Sequence, residues 1–528
     1  MMNSIQQIMD ELHSPLLSIP GMGIHSAAMI LGEIGDFSNF ESPDKILAYA
    51  GCSPSTYQSG KLTNCYAHME KRGSRYLRYA LYNATKYVCY WNPVFAKYLA
   101  KKRAEGKHYN VALSHAMKKL VRLIYALQKS GKAYYVSPKG NDNAKGSKKK
   151  PFRTFKRACK SLKPGDTLYV RGGIYTENIR LGKKQSGTKK KYVTICNYPG
   201  EEPVISGKKK KAELMKITGA SYLRISGLEF QDAKGQDSCG IKIAPGSHHI
   251  VISGNKIHQI SVPDPKKEDH CANGILLFGE KAKKEIHNIL IYNNNLYDCQ
   301  TGWAECISVA ANCRNINVIS NRIKNTGNIG IDVTGNYGYC SDPAKDFPRK
   351  CLIYQNRVEQ CVSPYATSYG IYVDGAKEVQ ILKNQVRKCS GGIEIGAEEK
   401  PPKEEYSTSD ILVQDNWIVD NIENGITVGG YQKNLGWVKN VRILNNRCKN
   451  NGKDNAILTL AKCKNITLNR IRFRIRPGML QWYMRNFQKS IQRIFNFKII
   501  NITMDTAKTR HCLFIGERPI HLFLSGKK

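Results

Sequence analysis

Ile316-Asn317-Val318-Ile319-Ser320-Asn321-Arg322-Ile323, followed by Gly330-Ile331-Asp332-Val333, decides the fold of the larger part of this chain. A short apolar strand runs into an Asn-x-apolar step, and a second strand of the type Gly-Ile-x-Val comes after it. The step recurs at Asn255, Asn294, Asn321, Asn356, Asn384, Asn416, Asn446 and Asn469. The second strand recurs around Ile241, Ile275, Ile307, Ile331, Ile371, Ile393, Ile426 and Ile457. Two or three short strands per period predict a parallel β-helix. A propeller, with about four strands per ~40 residues, fits less well. Asn at a repeated turn can stack its amides into a hydrogen-bonded ladder, and it tolerates left-handed backbone. Five residues past three of these Asn stand Cys299, Cys361 and Cys389. That offset places reduced thiols inside the coil, where Cys behaves as a small apolar residue.

Upstream, Tyr134-Tyr135-Val136-Ser137-Pro138, Phe152 to Ala158 and Gly165-Asp166-Thr167-Leu168-Tyr169-Val170 read as strand, capping helix, turn and strand. Downstream the strand pattern is expected to stop near Phe473. Leu480, Tyr483, Met484, Phe487, Ile491 and Ile494 then follow helical spacing, with Arg485, Lys489 and Arg493 between them. A helix capping the open end of the coil is expected there, a membrane-surface helix being the other reading. Residues beyond about 500 show no usable pattern. The chain thus divides into residues 1–132, 133–473 and 474–528. The fold class is multidomain: an all-α module, then an all-β parallel β-helix with a C-terminal helical cap.

The 82 Lys and Arg against 42 Asp and Glu leave a formal charge of +40. Such a field favours polyanions, whether nucleic acid, acidic polysaccharide or an anionic membrane surface; a solvated basic surface is the bland alternative. The 17 cysteines are odd in number and form no CxxC pair, which argues against a zinc ribbon or a complete disulfide framework. A reducing compartment fits them best. The first residues lack a basic segment leading into an apolar core, and no apolar stretch approaches the ~20 residues that span a bilayer. No signal peptide, no transmembrane segment and a cytoplasmic location are therefore expected.

The first 132 residues read differently. Leu17-Ser18-Ile19-Pro20-Gly21-Met22-Gly23-Ile24 leads into Ala27 to Asp36 as an apolar helix, a Pro-Gly-x-Gly turn and a second helix. This is a helix-hairpin-helix pattern, in which Gly21 and Gly23 would let backbone amides approach a phosphate. An ordinary αα-turn would look the same. Ser42 and Pro43 suit the N-cap and first turn of the next helix. Lys71, Arg72, Arg75 and Arg78 precede an apolar face at Leu77, Ala80 and Leu81. Lys71, Arg75 and Arg78 at i, i+4 and i+7 predict one basic stripe for phosphate contacts. A third helix is expected from about Tyr109 to Leu127.

Taken in order, Ile19-Pro20-Gly21-x-Gly23, Glu33-Ile34-Gly35-Asp36, Tyr49-Ala50-Gly51, Gln58-Ser59-Gly60-Lys61, Lys71-Arg72-Gly73-Ser74-Arg75-Tyr76-Leu77-Arg78 and Asn92-Pro93-Val94-Phe95 resemble one family. It is the C-terminal domain of the insertion-sequence transposases now known as bridge-RNA-guided recombinases. The resemblance covers residues ~14–132. It implies DNA as partner, a guide RNA, and strand cleavage by a serine hydroxyl that becomes covalently linked to DNA. By position Ser59 is that nucleophile, with Lys61 beside it; as a bare dipeptide, Ser59-Gly60 is equally a turn. The family's acidic, metal-holding half should precede residue 14, where this sequence has only a dozen residues, so a truncated transposase is expected.

Residues 133–473 resemble right-handed parallel β-helix proteins of the pectate-lyase-like superfamily, on Tyr135-Val136-Ser137-Pro138, Gly165-Asp166-Thr167 and the repeated strands. That implies binding or cleavage of polysaccharide, with calcium held by Asp and a Lys or Arg base. Aligning the Gly-Ile-x-Val strands sets Lys242, Leu276, Ser308, Asp332, Tyr372, Glu394, Thr427 and Leu458 in one outward row. Asp332, Asp374 and Glu394, with Glu305, are the calcium candidates, since calcium wants several oxygen ligands. A solvated solenoid surface is the alternative. No tight lyase-type Asp cluster is visible, and Lys242 stands about three coils from Asp332, at ~4.8 Å each. Trp303, Tyr337, Tyr339, Tyr365, Tyr369, Tyr372, Tyr431 and Trp437 are candidates for stacking on sugars or for packing.

Overall fold

The computed structural model describes residues 5, 9, 14–53, 58–59, 62–63, 69–128, 131–429, 436–452, 458–460, 463–474, 495–505, 510–514 and 523–526. The chain splits into two compact units, with the main break between Ala133 and Tyr134.

The first unit is helical, with a short 3-10 turn at Pro15–Ser18 and helices at Ile24–Ile34, Pro43–Tyr49, Arg75–Trp91, Pro93–Ala104 and Tyr109–Gln128. Local chemistry sets the starts. Ser42 Oγ accepts from Lys45 N with Pro43 in the first turn, Ser74 Oγ accepts from Leu77 N at 3.0 Å, and Asn92 Oδ1 accepts from Val94 N at 3.0 Å ahead of Pro93. Ala27, Ile30, Leu81, Ala84, Leu113 and Leu120 belong to one buried apolar core. Two expectations fail here. The apolar segment before Pro20 forms only the 3-10 turn among the described residues, because Pro15 and Pro20 bracket it too closely for a longer helix. Lys71 is not on the basic helix, which begins at Arg75. Gly73 (φ +127°) and the N-cap Ser74 hold the preceding loop against Tyr49, where a Cβ on Gly73 would stand 2.2 Å from the Tyr49 carbonyl oxygen.

The second unit enters through the strand Ala133–Val136, the helix Phe155–Ser161 and the strand Thr167–Val170, as the sequence predicts. Each coil then contributes one strand to each of three parallel ribbons. One ribbon holds the Gly-Ile-x-Val strands, from Ile179–Gly182 to Leu458–Leu460. The second runs through Ile286–Tyr292, Cys313–Ile319 and Arg349–Tyr354, and the third through Asn295–Cys299, Arg322–Thr326 and Arg357–Cys361. Ile, Val and Leu fill the interior, together with buried Cys299, Cys361 and Cys389. The cysteines whose side chains the structure describes form no disulfide with one another.

The Asn ladder forms. Asn294, Asn321, Asn356, Asn384, Asn416 and Asn446 stack so that each Nδ2 donates to the next Oδ1 at 2.9–3.1 Å, and Asn255 starts the stack. The left-handed backbone, however, falls one residue earlier, at Asn293, Ser320, Gln355, Lys383, Asp415 and Asn445. The turn itself is made by the preceding residue, which frees the Asn side chain to point inward. Further left-handed corners lie five residues to either side, for example Asn315, Ser320 and Asn325.

The strand pattern does not stop near Phe473. Cys463–Arg474 pairs in parallel with Phe495–Asp505, and Arg510–Phe514 and Phe523–Gly526 add antiparallel strands. The expected capping helix at 480–494 lies outside the described residues. Among the described residues no helix is long and apolar enough to cross a membrane.

Candidate functional site

In the helical unit the expected phosphate-contact residues separate into two groups. Gly23 caps the Ile24–Ile34 helix and is exposed, and nothing lies within 4 Å of a Cβ built there. Lys71, Arg72 and Arg75 are exposed around the start of the Arg75–Trp91 helix, and none is ion-paired among the described residues. Their charges add to the helix dipole at that end. Gly21 and Arg78, in contrast, are occupied by the fold. Gly21 has φ +88°, and a Cβ there would lie 2.4 Å from the Tyr87 carbonyl oxygen. Its freedom serves close packing on the helix backbone, not approach to a phosphate. Arg78 donates through Nη1 to the Ala50 carbonyl at 2.8 Å and the Lys71 carbonyl at 3.2 Å, so its guanidinium ties two loops together.

Ser59 lies in the two-residue strand Gln58–Ser59, paired antiparallel with Leu62–Thr63, with Ser59 opposite Leu62. Lys61 lies outside the described residues. The sequence reading missed a face of the Arg75–Trp91 helix. Tyr76, Tyr79, Tyr87, Tyr90 and Trp91 are all exposed. At ~100° per residue they fall on one stripe with Lys86. Arg75 lies 4.8 Å over the Tyr76 ring. The signal was present as aromatic residues about a third of a turn round the helix from Leu77, Leu81 and Val88.

On the β-helix, register confirms the outward row Lys242, Leu276, Ser308, Asp332, Tyr372, Glu394 and Thr427. Its last member is Thr459, not Leu458, which pairs instead with Ile426. Asp374 sits two residues along, between Thr334 and Gly396. These acids are not a solvated surface, for Asp332 is 3 % exposed and Asp374 and Glu394 are each 1 % exposed. The cover comes from two loops. Tyr337 donates its hydroxyl to Asp374 Oδ2 at 2.6 Å and contacts Glu398 Oε2 at 3.0 Å. Tyr372 donates to Glu398 Oε1 at 2.8 Å, and the Glu398 N–H donates to Asp374 Oδ1 at 2.9 Å. The Tyr337 loop is pinned by buried Asp346, which accepts from Gly338 N and Cys340 N.

Burial sets the electrostatics. It pushes the Glu305 carboxyl up to about 7, against the hydrogen bond from Ser308. It pushes Asp374 up to about 7 as well, with the Glu398 charge adding and the Tyr337 hydroxyl opposing. Asp332 rises well above the usual carboxylate range through burial and the charges of Glu305, Asp374 and Glu398. Lys242 is held by Glu213 at 3.2 Å. Among the described residues no group of three or more His, Cys, Asp or Glu is placed to hold a metal ion. Both Asp374 oxygens are already taken by donors, so the arrangement does not fit calcium. The aromatics divide too. Tyr369 and Tyr372 are buried, whereas Tyr339 is exposed, stacked on Tyr337 at 5.6 Å and edge-on to Phe278 at 5.2 Å. Tyr431 lies outside the described residues.

A transposase-like helical region thus precedes a pectate-lyase-like, right-handed parallel β-helix. Residues 13–100 match the transposase IS116/IS110/IS902 family, residues 134–304 a Pel9A-like right-handed β-helix region, and residues 339–473 a right-handed β-helix region. The chain is 33 % identical over 332 residues to the uncharacterized protein YwoF of Bacillus subtilis (strain 168), covering 60 % of this chain and 68 % of that one. It belongs to the YwoF family. It is also 30 % identical over 123 residues to an insertion element IS110 protein of Streptomyces coelicolor, covering 23 % of this chain and 30 % of that protein. Over 164 residues it is 35 % identical to pectate lyase PEL9 of Emericella nidulans, covering 30 % of this chain and 39 % of the lyase. The chain therefore spans well under half the length of the transposase and lyase relatives.

Proposed function

We propose that the helical unit binds duplex DNA through its phosphates, as a transposition-related module carried on a β-helix protein. The observation that carries this is the exposed cationic and aromatic face of the Arg75–Trp91 helix, led by Lys71, Arg72 and Arg75. Cations there would meet phosphates, and exposed Tyr rings offer flat surfaces to sugars and bases. Likeness to the insertion-element proteins supports the same partner.

The test is binding of the whole chain to labelled duplex DNA across a salt series. A variant with Lys71, Arg72 and Arg75 each changed to Ala should lose affinity, and the log–log salt slope should shrink by about 2 to 3. An unchanged slope would remove this face from the interface. Ser59 is the proposed nucleophile, and the transposase likeness adds a guide RNA as a second partner. A covalent DNA adduct that survives denaturation, and is lost in Ser59→Ala, checks the first. Competition by a structured RNA for the same face checks the second.

A further inference from the structure

We infer that the cap of the β-helix, the helix Phe155–Ser161 with the turn Lys183–Gln185 beside it, is a second surface for the phosphates of duplex DNA. The inference goes beyond the reading of the helical unit and shares no residue with it, so each can fail alone.

The distribution of charge along the sequence is the first observation. Residues 133–234 hold 24 Lys and Arg against 8 Asp and Glu, a net +16, whereas residues 1–132 hold 17 against 8, a net +9. More of the positive field therefore belongs to the entry coils of the β-helix than to the helical unit, and it lies outside the stretch that matches the transposase family.

The fold gathers part of this charge on one surface. Phe155, Ala158 and Cys159 are buried, which leaves Lys156 and Lys160 exposed at i and i+4, one turn apart. Arg153 is exposed just ahead of the N-cap Thr154. Gln185 Nε2 donates to the Cys159 carbonyl at 3.4 Å and so holds the turn that bears exposed Lys183 and Lys184 against the helix.

The acids of the cap do not neutralise these cations. Asp142 Oδ1 accepts from Arg153 N at 2.8 Å and Thr154 N at 2.9 Å, and its Oδ2 accepts from Thr154 Oγ1 at 2.7 Å. Glu177 accepts from Phe155 N at 2.6 Å and from Lys156 N at 3.3 Å. Both carboxylates are thus engaged by the amides that a helix start leaves without partners. The ion pairs of these coils, Arg171 with Glu201 and Arg180 with Glu213, involve other cations. Arg153, Lys156, Lys160, Lys183 and Lys184 form none among the described residues. Like charges one turn apart repel, and an anion laid across them relieves that repulsion.

The chemistry of the surface selects the partner. Four of the five cations are lysines, which act as point charges and lack the planar fork that grips a single carboxylate in two places. A set of point charges responds to charge density along a polymer. Duplex DNA carries one negative charge per ~1.7 Å of axis, and binding to it is driven by release of its condensed counterions. A uronate chain has one carboxylate per sugar at most, so it holds fewer counterions to release. A single strand is held in part by stacking of its bases on exposed rings. The one ring in these two segments, Phe155, is buried. The surface therefore suits a duplex contacted through its backbone.

The test measures binding of labelled duplex DNA to the whole chain across a salt series. One variant carries Lys156→Gln, Lys160→Gln, Lys183→Gln and Lys184→Gln. A control carries Lys281→Gln, Lys283→Gln, Lys284→Gln and Lys400→Gln, which removes the same charge at exposed positions elsewhere. The log–log salt slope should shrink by about 2 to 4 in the cap variant and by less than about 1 in the control, at unchanged melting temperature. In the unsubstituted chain, DNA should protect the four cap lysines from an amine-acetylating reagent, read by mass mapping. An unchanged slope in the cap variant, an equal loss in the control, or cap lysines acetylated equally with and without DNA overturns the inference. Cap-dependent binding of polygalacturonate or of phosphatidylcholine–phosphatidylserine vesicles, without cap-dependent binding of DNA, also overturns it and reassigns the surface to a glycan or a membrane. A smaller slope in the cap variant beside an unchanged slope in the Lys71, Arg72 and Arg75 variant upholds this inference and removes only the helical face.

Discussion

Asn356→Ala gives the most direct measure of what holds the β-helix together. Asn356 is fully buried at the centre of the ladder. Its Nδ2 donates to the Val318 carbonyl at 2.8 Å and to Asn384 Oδ1 at 3.0 Å. Its Oδ1 accepts from Asn321 N at 2.9 Å and Asn321 Nδ2 at 3.1 Å. Truncation removes all of these and leaves one backbone N–H and one carbonyl without partners in the core. At about 1–3 kcal/mol for each orphaned buried group, with the lost side-chain bonds added, the cost is about 3–6 kcal/mol. That is a large share of the ~5–15 kcal/mol that a folded domain has in hand. Asn356→Asp should cost more at neutral pH, since it faces two acceptors with a carboxylate oxygen. Guanidinium unfolding followed by far-UV circular dichroism reads the total, and hydrogen exchange locates it. The Asn321 amide should lose protection first, because its acceptor has gone, while Asn356 N still donates to Asn384 Oδ1. A cost below about 1 kcal/mol, with Asn321 protection intact, would refute the claim that the ladder is structural.

Further outcomes follow from the same geometry. Gly21→Ala should lower the melting temperature of the helical unit, at a cost of about 2–4 kcal/mol, since a Cβ meets the Tyr87 carbonyl oxygen at a left-handed φ; an unchanged melt would show that the hairpin is not packed there. Asp374 has its folded pKa raised to about 7, above the ~3.9 of an unfolded Asp. The folded state therefore holds this proton longer, and the stability it confers is present below about pH 4 and lost as pH rises through about 7. The β-helix melting temperature should fall between about pH 4 and 7 and level off above, and Asp374→Asn should flatten that fall; an equally steep profile in the variant would contradict this. Cys299, Cys361 and Cys389 are free and buried. Mass mapping after thiol labelling of the native chain should find them unmodified until denaturant is added, and rapid native labelling would contradict the stacked interior.

The ladder was legible in the sequence because Asn is required at one inward position per coil, and a required residue at a repeated position makes a period. The left-handed corners were not, because Ser320, Gln355 and Lys383 do that work through backbone geometry that many polar residues can adopt. Register along the Gly-Ile-x-Val strands was legible as far as Thr427, and it slipped by one at Ile457, where the strand proper is Leu458–Leu460. Burial of the acids was not legible at all. Their cover comes from Tyr337 and Glu398, in loops whose lengths vary from coil to coil and leave no periodic trace. In the helical unit, caps at Ser42, Ser74 and Asn92 are local signals, whereas the fixing of Gly21 and Arg78 depends on contacts with distant backbone.

The charge of the whole chain does not decide what each site meets, because salt screening limits its reach. A formal charge of +40 draws polyanions toward the protein. At physiological salt, however, screening confines each charge to about 8 Å, so a bound group responds to what lines its own site. Around Asp332 that lining is acidic and largely buried, where screening by salt is weakest. Around Lys71, Arg72 and Arg75 it is cationic and exposed. Raising ionic strength should therefore weaken DNA binding steeply. An affinity that does not change across the salt series would mean that phosphates are not what this face contacts, and the assignment of DNA binding to it would fail.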